Sequence, residues 1–232
     1  MKIETYKEPK SSFLSVEKDL EVICDKIVNN KRLQKLLCNQ EKDCIRPGVP
    51  SPFDKENGII DLAAEGYPNA DQGGIRMYMV DKGYLKIVPK LYVDEEAKSY
   101  IVISFDNFVP NATNPAFRDN VIEFDIICHF ANWQLDGFDL RPFKIAAEID
   151  SMFNNAHLSG IGTLEFLAST QTVLNENLAG IVLLYSAVHG EDDRNILKPA
   201  TDGVDRFQDM VDDFDEREGN KFVKRPWNKE VE

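Results

Sequence analysis

The chain is 232 residues long, 43% apolar and 29% charged, with a formal net charge of -13. That apolar share is enough for a packed core and excludes a disordered chain. The acidic balance excludes a non-specific grip on nucleic acid through clustered Lys and Arg. Met1 to Thr5 lead into polar residues without the apolar run of an export signal, and the longest apolar stretch, Ile181 to Tyr185, is strand-sized. Neither a secretory leader nor a membrane span is therefore expected. Without an export signal, Cys24, Cys38, Cys44 and Cys128 are expected to be reduced structural thiols.

Ser15 to Leu37 reads as helix. Val16, Leu20, Ile23 and Ile27 recur at three to four residues, Leu33, Leu36 and Leu37 resume the stripe, and Asn29-Asn30 fray or break it between. Ser15 is the expected N-cap. From Asp43 to Gly83 the periodicity fails. Arg46-Pro47-Gly48, Glu56-Asn57-Gly58, Gly66-Tyr67-Pro68-Asn69 and Gln72-Gly73-Gly74 are turn and breaker signals in series. An irregular stretch of that length reads as an extended arm. Ile59-Ile60 and Ile75 to Val80 supply apolar pieces with which it packs against something.

Strand patterns follow. Leu85, Ile87, Leu91 and Val93 alternate with polar and aromatic neighbours, and Pro89 marks an edge or bulge. Ile101, Ile103 and Phe105 form a second strand, and Asn107 to Asn120 a loop. In the third strand Ile122, Phe124, Ile126, Cys128 and Phe130 share one face, with Glu123, Asp125 and His129 on the other, the period of a half-buried antiparallel strand. Asp139 to Asn155 reads as a helix with Pro142 in its first turn and Ile145, Ile149, Met152 and Phe153 on one face. Gly162 to Ala168 and Ala179 to Val188 complete the strands, the last apolar on both faces and central. Strands in runs with one crossing helix imply α+β: a mainly antiparallel sheet flanked by helices, with long extended arms. The organisation expected is an N-terminal helical segment over 1–42, an extended loop or arm over 43–83, a core sheet with one helix over 84–190, and an acidic C-terminal arm over 191–232. In that last segment Asp202, Asp205, Asp209, Asp212, Asp213, Asp215 and Glu216 crowd around a stripe of Val204, Phe207, Val211 and Phe214. An apolar stripe inside a charge run suits docking on a neighbour.

Chemistry-bearing patterns are sparse. Glu123 and Asp125, with Asp106, are the carboxylates that could hold a divalent metal as in a nuclease or hydrolase. A hydrated sheet face or a polar subunit contact is the preferred reading, because Glu-x-Asp on an alternating strand is common, no Lys on that strand supplies a catalytic partner, and the acidic balance argues against a nucleic-acid substrate. His129, His157 and His189 lack zinc-ligand spacing, and Cys38-x5-Cys44 is too wide for a tight zinc pair. Gly160-Ile161-Gly162 precedes a strand and does not join a strand to a helix, so it does not read as a phosphate cradle. No nucleophile elbow or Walker pattern occurs.

The order strand, strand, loop, strand, helix, strand, strand resembles the tail-terminator and neck proteins of tailed bacteriophages. The resemblance is carried by Asn120–Ala131, by Arg141–Asp150 and by Leu178–Val188, about half the chain. It is one of pattern, without catalytic residues to carry over. It implies a non-enzymatic virion protein, assembled in the host cytoplasm, that forms a homo-oligomeric ring, commonly a hexamer, at the head–tail junction or tail end. Other neck and tail proteins would be its partners, and DNA would pass through the lumen without specific binding. No cofactor is implied. Phe207, Val211, Phe214 and Trp227 are the expected subunit contacts. The alternatives are a metal-dependent nuclease or hydrolase using Asp106, Glu123 and Asp125, and a cytoplasmic ligand-binding module with 43–83 as its lid.

Overall fold

The structure is a computed structural model in which residue 13 and residues 16–67, 72–87, 97–113 and 117–190 are described. The chain divides into two units, 1–192 and 193–232. The second lies outside the described residues, and with it Phe207, Val211, Phe214 and Trp227; so do the expected cap Ser15 and the strand pattern from Pro89 to Val93.

Within the first unit the elements run α1 (Val16–Asn29), α2 (Lys31–Cys38), α3 (Gln72–Asp81), β1 (Leu85–Lys86), β2 (Ser99–Pro110), β3 (Arg118–His129), α4 (Arg141–Phe153), β4 (His157–Leu158), β5 (Gly162–Thr163), β6 (Glu165–Val173) and β7 (Leu178–His189). The fold is α+β. Five strands form one sheet in the order β1-β2-β3-β7-β6, parallel between β1 and β2 and antiparallel elsewhere, and β4 pairs with β5 alone.

Period-two alternation in β3 explains the layering. Ile122, Phe124, Ile126 and Cys128 are fully buried on the face that meets the helices. Their neighbours on that face include Ile101 and Ile103 of β2 and Ile181, Leu183 and Tyr185 of β7. Ile145, Ile149 and Phe153 of α4 close this core, with the Phe153 ring 5.0 Å from that of Phe124. Gly180 sits where β7 comes closest to β3. A Cβ there would lie 1.7 Å from the Ile126 carbonyl oxygen, so a larger residue must push the two strands apart. The other face of β3 is less wet than its Glu and Asp imply. Ile127 joins Tyr100, Val102 and Leu178 in a second, smaller cluster. Phe130 leaves the strand pattern altogether: it opens a single 3-10 turn over Phe130–Asn132 and is half exposed.

At Asn29-Asn30 the first helical segment divides. Asn30 has extended backbone, and its side-chain oxygen accepts hydrogen bonds from the Arg32 and Leu33 amides, making it the N-cap of α2. Its amide nitrogen donates to Glu148 of α4 at 3.1 Å, so the break also fastens the two helices together.

The stretch 43–83, expected to be an extended arm, packs into the core and contains α3. Asp54 and Asp61 accept from backbone amides two and three residues ahead, which folds the chain back in short turns. Phe53, Leu62, Tyr78 and Met79 are buried in the main core. The helix is hidden in the sequence because Gly73-Gly74 occupy its first turn, where propensity is poor. Tertiary contacts hold it: the Tyr78 ring lies among Phe53 and Tyr67 at 5.5 and 5.4 Å, and Arg76 pairs with Asp25 and Glu21 of α1 at 2.7 and 2.9 Å.

Arg141, the first residue of α4, is fully buried. Its guanidinium donates to five backbone carbonyls. Nε reaches Asn132 at 2.8 Å, Nη1 reaches Leu36 and Asn39 at 2.6 and 2.8 Å, and Nη2 reaches Gln40 and Glu41 at 3.2 and 3.0 Å. A cation at the end of α2 satisfies carbonyls that the helix leaves unpaired and opposes their negative dipole end.

Arg141→Met therefore leaves several buried carbonyls without donors and should cost at least about 3 kcal/mol, read as a lowered urea midpoint. Arg141→Lys keeps the charge but has three donors in place of five, and should fall between the two. Gly180→Ala should also destabilise, because the strand backbone opposite cannot yield without breaking the β3–β7 ladder.

Candidate functional site

The carboxylates singled out from the sequence lie on the outer face of the sheet. Register places Asp125 opposite Val102, Glu123 opposite Ser104 and Asp106 opposite Val121, so all three project to the same side. Asp106 is exposed at the bulge in β2, and its carboxylate accepts from the Asn107 amide at 2.7 Å. Asn107 takes a left-handed φ of 55° there. Asp125 is 9% exposed, and burial, followed by the negative charge of Glu123 beside it, pushes its carboxyl up to about 7. Among the described residues no three His, Cys, Asp or Glu side chains converge as a metal-holding group. Sharing a face thus does not gather Asp106, Glu123 and Asp125 into a ligand set. His129 is occupied as a cap, its Nδ1 accepting from the Ala131 amide at 3.0 Å.

Elsewhere the polar side chains that sequence patterning left unassigned are structural. His189 Nδ1 lies 2.5 Å from Asp19 Oδ2, both residues buried, tying α1 to the end of β7. Burial pushes the Asp19 carboxyl up from its ordinary value, and His189 offsets part of that rise. Gly160, of the Gly-x-Gly pattern, sits against this pair with φ of 80°, and a Cβ there would lie 2.4 Å from Asp19 Oδ1. Its backbone is shaped around a buried carboxylate. The four cysteines are free and buried. Burial pushes the thiols of Cys24 and Cys128 up to about 12, and those of Cys38 and Cys44 also rise.

Among the described residues, two apolar surfaces open to solvent bear on contact with a partner. One is a groove of about 460 Å³ between α1 and α3, floored by Leu20, Cys24, Met77, Val80 and Ile87 and rimmed by Glu17, Glu21, Arg76 and Asp81. The segment expected to be a lid builds one wall of this groove. The other surface lies at the far edge of the sheet. Helix α4 packs over β3 and β7 and reaches only the end of β6 through Phe143, and Glu165 to Gln171 are all exposed. A cleft of about 140 Å³ opens there among Phe130, Trp133, Phe143 and Val173, and Phe138 stands fully in solvent nearby in sequence. Sequence patterning read Gly162 to Ala168 as a strand with Leu164 and Phe166 on one face. The strand proper instead starts at Glu165, bulges between Phe166 and Ala168, and runs on to Val173; Leu164 is buried outside it, while Phe166 is exposed. The signal that could have found the open edge is the uncharged run from Phe166 to Val173.

The model of the YomW family matches residues 30–187, more than half the chain, from the cap of α2 to the end of β7. The chain belongs to the YomW family. That family is phage-derived, so the coarse identity is a phage protein. No curated protein matches the sequence. The part of this YomW-family chain covered by the match includes Arg141, the whole acidic face of β3 and the β6 edge, whereas all of α1 and the acidic C-terminal segment lie outside it.

The Asp125 carboxyl has a testable consequence. Unfolded, it ionises near 3.8; folded, it holds its proton to about 7. Between those values the folded chain binds more protons than the unfolded one, so its contribution to stability is present below 3.8 and is lost as pH rises through about 7. Asp125→Asn should remove that loss and raise Tm by about 2–4 °C at pH 8, the scale of about 1 kcal/mol, with little difference at pH 3.5. A variant that melts with the wild type at both pH values would refute the assignment. Alkylation of the native chain should spare all four thiols, and labelling should reach all four in denaturant.

Proposed function

We propose that this phage protein is a non-enzymatic virion component that assembles into a homo-oligomeric ring, of hexameric order, at the head–tail junction or the end of the tail. The observation that carries this reading is the pair of exposed apolar surfaces on different elements, the α1–α3 groove and the cleft among Phe130, Trp133, Phe143 and Val173. A closed ring is built head to tail, and each subunit must present two unlike surfaces to its neighbours. Exposed apolar patches of this kind mark interaction sites, and aromatic residues suit their centres. Five strands under one helical layer resemble the strand–helix–strand order of tail-terminator and neck proteins, which supports the same place in the particle.

The charge supports it too. A chain at -13 lining a lumen repels the phosphate backbone, so the genome slides through without sticking. Other neck and tail proteins would be its axial neighbours. The stripe of Val204, Phe207, Val211 and Phe214 and the lone Trp227 would add subunit contacts from the C-terminal segment.

Disrupting the gene in the phage should leave filled heads and finished tails unjoined, or tails of uncontrolled length. Immunogold against the chain should label one end of the tail of intact particles. Particles that never carry the label would sink the reading. Met77→Glu, in the exposed floor of the groove, should lower the assembled mass without lowering Tm, and truncation after Asp202 should weaken assembly while leaving the melting of the sheet domain in place.

A further inference from the structure

The free edge of the sheet points to a second partner surface. Strand β6 is nine residues long and hydrogen-bonds to β7 on one side; among the described residues no strand pairs with its other side. Edge strands that stay single are normally protected by Pro, Lys, an inward charge or shortness. From Phe166 to Val173 this edge has none of these: the run is Phe-Leu-Ala-Ser-Thr-Gln-Thr-Val, in a chain that is 29% charged. Beyond the bulge at Leu167, residues Ala168 to Val173 pair regularly with Leu184 to Ala179, so the outer side presents six residues of straight ladder.

We infer that two copies of this chain pair through β6, antiparallel about a two-fold axis perpendicular to the sheet and passing beside Thr170. Such an axis keeps each residue on its own face, so opposed residues must share a face, and a centre at Thr170 satisfies this. Thr170 then faces its counterpart, Ser169 faces Gln171, and Ala168 faces Thr172. These small uncharged pairs suit cross-strand contact. The same register carries Val173, 73% exposed, to Leu167, 52% exposed, and does so at both ends. The two large exposed aliphatic side chains of the strand thereby cover each other. Glu165, its one charge, falls at opposite ends of the joint ladder, about 30 Å from its counterpart. A parallel pairing would set the two Glu165 side chains together. The contact is isologous and closes after two copies, so it removes the open edges without propagating a fibre. It uses elements other than the α1–α3 groove but shares Val173 with the cleft beside Phe130 and Phe143, and it concerns the free protein whether or not a ring forms on the particle.

The test uses the full chain, with mass by light scattering from low micromolar to near-millimolar concentration. Wild type should move from one-copy to two-copy mass as concentration rises. Thr170 is exposed, so Thr170→Lys and Thr170→Glu should keep the wild-type melting curve. Each should stay monomeric across the series, because the axis sets two like-charged side chains directly opposite each other, on Cα atoms about 5 Å apart. Mixing the two variants in equal amounts should bring back the two-copy particle, an outcome that requires residue 170 to face itself. A wild type that is monomeric throughout overturns the inference, as do single variants that pair like wild type or a mixture that stays monomeric. A larger closed particle whose mass neither variant changes also overturns the pairing, yet leaves the ring reading standing. A two-copy particle with the expected charge-swap behaviour, from a chain that never labels virions, upholds the pairing and sinks the ring.

Discussion

Five hydrogen bonds from one guanidinium decide how the helical layer is assembled. Arg141 begins α4, yet four of these five bonds go to the end of α2 and the turn that follows it, about a hundred residues earlier in the chain. A carboxylate partner would have drawn the group towards solvent or required a second buried charge. Carbonyl dipoles at a helix end neutralise it without one. Because Arg141 also begins the helix whose Ile145, Ile149 and Phe153 close the sheet, the position of α2 and the packing of the core are set by the same residue. Asn30 adds a second tie between α2 and α4, and Arg76 joins α3 to α1. The helical layer is thus held by polar joints at its corners and by apolar burial in between.

This arrangement protects some strands and abandons others. α4 lies across β3 and β7, which carry the most apolar sequence and the longest ladder. β6 lies beyond most of this cover, and its composition matches an exposed position: past Glu165 it is uncharged, with small polar residues in the middle and apolar side chains towards its ends. The acidic strip of β3 faces the other way. There Asp125 keeps its proton up to about pH 7 because burial and Glu123 both oppose ionisation. A carboxyl so placed limits stability at neutral pH without taking part in any assembled group of ligands among the described residues. The exposed apolar surfaces, by contrast, have the chemistry of contact sites in this member of a phage-derived family.

Much of the fold was legible in the chain itself. Period two in Ile122 to Cys128 specified which face of β3 is buried, period 3.6 in Val16 to Ile27 and in Ile145 to Phe153 specified two helices, and the continuous apolar run of Ile181 to Tyr185 specified an interior strand. These signals survive because they are local and because burial on one face enforces the period. The break at Asn29-Asn30 was visible for the same reason, since Asn competes for backbone amides wherever a helix starts. The burial of all four thiols also followed from residue type and position.

Tertiary structure decided what local pattern could not carry. Helix α3 begins on two glycines and exists because Tyr78, Met79 and Arg76 find partners on other elements, so no window of its own sequence announces it. Arg141 reads as an ordinary charge before a proline until the end of α2 arrives beside it. Asp19, Gly160 and His189 become one buried contact across 170 residues of chain. The open edge of β6 is likewise a property of strand order: the same residues placed between two strands would be interior. The sequence determined the periodic elements and the acidic, core-forming character of this protein, because those depend on neighbours within a turn or two. Which side chains meet, which carboxyl stays protonated and which strand is left unpaired depended on elements brought together from distant parts of the chain.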